Sequence, residues 1–147
     1  IAISASVPEI SAIQASNTGA VTIDQLGNQV YSNVKVGKIT IDSNDTSGFT
    51  LTYDSATDGV LSVGGSTDSD QSIAYTISLS NQSGTLGDGL SGSGLTDASP
   101  EGGQATFSGS DSSPTDGCKF DVGISAAVKG LLQGTYTDTL TITIANI

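Results

Sequence analysis

The chain has 147 residues, enough for one domain with a core of its own, and 35% of them are hydrophobic. Four lysines, no arginine and no histidine stand against fifteen acids, for a formal charge of −11. That balance excludes nucleic acid as a partner, because phosphates must be neutralised by Lys and Arg, and it removes histidine, the commonest general base and zinc ligand.

Trp and Met are absent and the apolar residues are mainly Ile, Val, Leu and Ala. Such β-branched side chains suit a pleated surface, so the expected fold class is all-β. In chain order, Ile1, Ile3, Ala5 and Val7 alternate with small residues until Pro8 interrupts. Ile10 to Ala15 is a second short apolar piece, and Val21 with Ile23 suggests a strand ending near Gly27. Val34, Val36, Ile39 and Ile41 are apolar with Gly37 breaking the phase, which predicts a bulged strand. Phe49, Leu51 and Tyr53 face one way, and Asp58-Gly59 reads as a hairpin turn between their strand and Val60 to Val63.

Ile73, Tyr75, Ile77 and Leu79 form the cleanest alternation in the middle of the chain. The stretch from Asn81 to Gly103 is rich in Gly, Ser and Asp, broken by Leu86, Leu90 and Leu95, and reads as a long loop or weak hairpin on the outer surface. Ala105 and Phe107 mark a short strand, and Ser108 to Gly117 a turn-rich loop. Cys118, Phe120, Val122 and Ile124 alternate again, with the single cysteine expected as a buried structural thiol. Ala126 to Leu132 is the one place where a helical turn is expected. From Tyr136 to Ile147 the chain alternates once more, with Leu140, Ile142 and Ile144 between threonines and almost no charge. Eight to ten short strands at this spacing predict a β-sandwich.

Chemistry is sparse. A Ser–His–Asp or Cys–His arrangement cannot be built, and Glu9 and Glu101 sit beside Pro or Gly in loops with no aromatic platform, so catalysis is not expected. The aspartates Asp42, Asp45, Asp54 and Asp58, and further on Asp68 and Asp70, offer hard oxygen ligands that calcium would accept. The same residues are the ordinary currency of tight turns, and no calcium-loop pattern is present. No cofactor is therefore expected, with calcium the one candidate ion. No apolar run approaches a membrane span, so no membrane insertion is expected. The first residue, Ile1, reads as a mature end left by signal-peptide cleavage, which places the protein outside the cell.

The two ends carry the sharpest signals. A long, uncharged, alternating strand at a sheet edge templates aggregation unless it is paired. Residues 1–8 read as an extension, and residues 9–147 as a single domain. Ile1 to Val7 either form the first strand of the chain's own sheet or add to a neighbouring molecule's sheet, in a head-to-tail contact that builds a filament.

The ending Gly134-Thr135-Tyr136-Thr137-Asp138-Thr139-Leu140-Thr141-Ile142-Thr143-Ile144 resembles the closing strand of spore-coat-U-like proteins and archaic chaperone–usher pilins. The resemblance implies an immunoglobulin-like sandwich lacking its last strand, completed by a donor strand from the next subunit. It implies Ile1, Ile3, Ala5 and Val7 as donor knobs, and Leu140, Ile142 and Ile144 as the lining of the acceptor groove. The partners would be identical subunits in an extracellular homopolymer. Two other readings stay open. One is a self-contained secreted sandwich that binds carbohydrate or a surface ligand near Tyr31, Tyr53 or Tyr75. The other is a calcium-dependent adhesion or surface-layer module.

Overall fold

The computed structural model describes residues 4, 6, 11–17, 28–45, 47–82, 86, 90–92, 94–109 and 117–147. Among them are ten strands: β1 (Ser11–Asn17), β2 (Gln29–Ser43), β3 (Gly48–Ser55), β4 (Val60–Ser62), β5 (Ser72–Asn81), β6 (Leu90–Ser91), β7 (Leu95–Ala98), β8 (Gly103–Gly109), β9 (Cys118–Val128) and β10 (Leu140–Asn146). They form two antiparallel sheets. The six-stranded sheet runs β1-β2-β9-β5-β4, with β7 also on β5, and the four-stranded sheet runs β10-β3-β8-β6. The all-β expectation holds. Ile1, Ile3, Ala5, Val7, Val21 and Ile23 lie outside the described residues.

Alternation in the sequence becomes burial in the sheets. Phe49, Leu51 and Tyr53 on β3, Ile73, Tyr75, Ile77 and Leu79 on β5, and Cys118, Phe120 and Val122 on β9 are all buried between the layers. Phe107 joins the two sheets: its ring lies 5.2 Å from Phe49 and 4.9 Å from Phe120, both tilted. These offsets suit aromatic quadrupoles better than face-to-face stacking. Cys118 is fully buried in the same cluster, as its expected structural role requires.

On β2 the ladder to β9 slips between Tyr31 and Val34 and again between Lys35 and Gly37, so the bulge falls where the apolar phase breaks. Gly37 is there for a second reason. A Cβ on it would sit 2.9 Å from the Ser16 carbonyl oxygen, so a side chain would push β1 away from β2.

Three expectations need correction. Asp58-Gly59 does form a tight turn with both residues at positive φ, 53° and 77°, as a primed turn demands. It does not make a hairpin, however. β4 pairs with β5 in the other sheet, because Ser55 Oγ accepts from the amides of Thr57 (3.3 Å) and Gly59 (2.7 Å) and turns the chain away from β3. The turn is a corner between layers. Second, Ala126 to Leu132 holds no helical turn. β9 runs to Val128 with β2 on one side and β5 on the other, and two ladders outweigh the weak helical preference of Ala and Leu. Third, the stretch from Asn81 to Gly103 is not simply outer surface: β6 and β7 bind it to opposite sheets, and Leu86 and Leu95 pack on the core.

Candidate functional site

β10 is the last strand of its sheet. Among the described residues it has a neighbour, β3, on one side only. Its register on β3 places Leu140 opposite Ser55, Ile142 opposite Tyr53 and Ile144 opposite Leu51. Partners directly opposite share a face, so these three side chains point between the sheets. They pack on the core, yet none is fully buried, whereas Tyr53 and Leu51 beside them are. Leu140 and Ile142 touch both core clusters. The three residues read from the sequence as one lining are thus brought together on one half-covered face.

The strand across the gap is β1, the edge of the six-stranded sheet, and Cα atoms of β1 and β10 come within 8 Å of each other. Ile13 and Ala15 stand opposite Ile41 and Ile39, both buried, and so share their inward face. Even so, Ile13 is only half-buried and Ala15 is exposed. The inward faces of both edge strands are therefore incompletely covered along one flank of the sandwich. The sequence marked Ile10 to Ala15 as apolar but offered no reason to set it against the last strand, since nothing local encodes that juxtaposition.

Both ends of this seam are closed by polar contacts. At one end Ser43 Oγ donates to Asn146 Oδ1 at 3.5 Å, tying β2 to the end of β10. At the other, the chain just before β10 crosses between the layers. Thr137 exchanges two backbone hydrogen bonds with Ser62 (3.0 and 3.1 Å), and the Ala56 amide donates to the Thr139 carbonyl at 3.0 Å. The Asp138 carboxylate accepts from Ser55 Oγ at 2.6 Å, from the Tyr75 phenol at 2.5 Å and from the Thr139 amide at 2.6 Å. Tyr136 fixes the approach, its phenol donating to the Leu132 (2.7 Å) and Asp70 (3.0 Å) carbonyls. The long strand expected from Tyr136 is thereby split into a clasp and a shorter strand that starts at Leu140.

Electrostatics agree with this geometry. Burial works against the charged form of Asp138, but hydrogen bonds from Ser55, Tyr75, Thr57 and the Thr139 amide outweigh it and hold the carboxyl below the usual range. Tyr75 is pushed far up, first by burial and then by the hydrogen bond and charge of Asp138, so it stays a neutral donor. The clasp was missed in the sequence. Its signal was Asp138 itself, the one charge in an otherwise uncharged ending.

The calcium candidates separate. Asp42 belongs to β2, and Asp45 accepts from the Ser47 amide at 2.7 Å, an ordinary turn contact. Asp54 and Asp58 stand near Glu101, whose carboxyl is raised by desolvation and by those two charges. Among the described residues no group of three or more acids, cysteines or histidines is arranged to hold a metal. The tyrosines separate too: Tyr53 and Tyr75 are buried, and Tyr31 is half-buried. Tyr31 and Tyr75 border an open depression of about 390 Å³ with Val30, Ala74, Asp97 and Ser125. No helix is long and apolar enough to cross a membrane among the described residues. No protein-family model and no curated protein matches the chain in sequence.

Proposed function

We propose that the protein is a non-catalytic structural subunit of an extracellular filament, joined head to tail by donor-strand complementation of an incomplete immunoglobulin-like sandwich. The observation that carries this reading is the half-covered row Leu140, Ile142 and Ile144 on a strand that, among the described residues, is paired on one side only. A strand added along β10 would satisfy its outward backbone groups and cover that row in one step. The seven residues of β10 offer about 23 Å of edge. Ile1 to Val7, also seven residues, match that length when extended and would then place Ile1, Ile3, Ala5 and Val7 on one face. Full burial of an aliphatic side chain contributes about 1.5–3 kcal/mol, so several knobs in one groove make a long-lived joint.

The test is negative-stain microscopy of the native protein beside a chain lacking residues 1–7. Fibres from the full chain, and none from the truncated one, are expected. Fibres from both would sink the donor assignment. Compact single particles from the full chain would favour the self-contained binding module instead, for which the depression beside Tyr31 is the place to look for a surface ligand.

A further inference from the structure

Six of the seven residues of β1 are exposed, and the seventh, Ile13, is half-buried. Its ladder is to β2, where the residues opposite on the inward face, Ile39, Ile41 and Ser43, are buried. β1 is thus a cover laid on the core more than a part of it. Ser11 stands opposite Ser43, whose hydroxyl reaches Asn146, so β1 begins at the end of the seam where β10 finishes. Ile13 packs on the same core cluster as Leu140, Ile142 and Ile144.

The seam is too narrow for another strand. A strand laddered to β10 would lie about 4.8 Å from it, so passing between β10 and a second paired strand takes about 9.6 Å. Inward side chains on that strand would need the roughly 10 Å that separates facing sheets. Cα atoms of β1 and β10 come within 8 Å of each other, inside both limits.

We infer that β1 is a displaceable strap over the groove, which comes off β2 to admit the donor strand of the next subunit and until then holds the lone subunit back from joining. The inference deepens the filament reading and rests on it. Local opening follows how little apolar surface an element buries, and this makes β1 the side that moves. β1 sets one half-buried side chain on the core, whereas β10 sets three and has its approach pinned by Ser55, Tyr75 and Ser62. The far end of β1 is closely seated on Gly37. A Cβ there would stand 2.9 Å from the Ser16 carbonyl oxygen, and its three nearest atoms all belong to Ser16 and Asn17. Gly37→Ala therefore lifts that end of the strap.

The test uses the full-length chain with Ile3→Asp, which blocks its own donor strand, and with Gln14→Cys and Thr40→Cys, directly opposite each other on the outward face. Oxidation ties β1 to β2 there, and Cys118 is buried out of reach. Hydrogen exchange comes first, because it does not depend on the filament reading. In the reduced chain the β1 amides bonded to β2 are expected to exchange at least about 100-fold faster than those between β9 and β5, and oxidation should slow them at least about 10-fold. β1 amides as slow as those of β9 in the reduced chain overturn the inference. A labelled peptide of residues 1–7 is then added. The reduced chain should take it up, and the oxidised chain should do so at least about 10-fold more slowly. Gly37→Ala, which needs no bridge, gives the same comparison with the opposite sign, faster exchange of β1 and faster uptake. Equal uptake by oxidised and reduced chains overturns the strap and leaves the donor strand standing. If no chain takes up the peptide, the donor reading falls, and the exchange of β1 alone decides whether it detaches as a strap.

Discussion

Replacing Asp138 by alanine removes the common acceptor of the clasp at the head of β10. Ser55 and Tyr75 are both buried, and each donates its hydroxyl to Asp138. A buried hydroxyl left without its partner costs about 1–3 kcal/mol. Two of them, with the lost Thr139 amide contact, put the expected destabilisation of Asp138→Ala at about 3–5 kcal/mol. For a domain of this size that lowers Tm by roughly 6–20 °C. Asp138→Asn keeps one acceptor oxygen and should cost less, about 1–2 kcal/mol. Urea unfolding followed by tyrosine fluorescence measures all three chains. Coupling between Asp138→Asn and Tyr75→Phe in a double-mutant cycle should be at least about 0.5 kcal/mol, since the two side chains share a hydrogen bond.

The same carboxylate gives a pH signature with a fixed sign. Its folded pKa lies below the unfolded value of about 3.9, so its contribution is complete above that value and is lost as pH falls through the folded one. Wild type should therefore lose stability below about pH 4 more steeply than Asp138→Asn does. An Asp138→Ala chain within about 0.5 kcal/mol of wild type, or parallel acid profiles for wild type and Asp138→Asn, would refute the clasp.

Phe120→Ala opens a cavity between Phe107 and the six-stranded sheet and should cost about 3–5 kcal/mol by urea unfolding. Lys35→Ala removes a half-exposed ion pair with Asp121 and should change stability by no more than about 1 kcal/mol in the same assay. Cys118 is fully buried, so an aromatic disulfide reagent should label it only in denaturant; fast labelling of the native chain would contradict its place in the core. Chelator should leave the thermal midpoint unchanged, because no group of three or more acids on the described residues is arranged to hold a metal.

How much of this was legible before the fold depended on whether the signal was local. Alternation predicted the buried faces of β3 and β5 residue by residue, and that of β9 as far as Val122 but not at half-buried Ile124, because one-sided burial forces a period of two. Gly37 located the bulge for the same reason. The corner at Asp58-Gly59 was misread, since a primed turn looks alike whether its flanks pair with each other or with separate sheets. What separates the two cases is Ser55 bonding Gly59 and Asp138, eighty-three residues apart in the latter case. Ala126 to Leu132 failed because its strand state is imposed by neighbours on both sides. At the site, Leu140, Ile142 and Ile144 were readable as a row. That β1 would face them, and that Asp138 would anchor the chain just before the row, were not.

An edge strand as apolar as β10 is ordinarily guarded by a lysine, a proline or an inward charge. From Leu140 to Asn146 there is none of these. The clasp before Leu140 instead fixes where the strand begins, in register on β3 with its inward row half-covered, and among the described residues no strand pairs its other side. An unguarded edge is a hazard to a protein that stays alone and an asset to one that is meant to be paired. Under that reasoning a lysine placed within the free edge should do more harm to assembly than to folding. Thr143→Lys leaves the inward row untouched and gives up only the exposed hydroxyl contact with Thr52, so it should cost no more than about 1 kcal/mol in unfolding. Ile142→Lys places its charge in the groove, where an incoming strand would strip it of water. Fibres that tolerate Ile142→Lys would mean that the subunits join through some other surface.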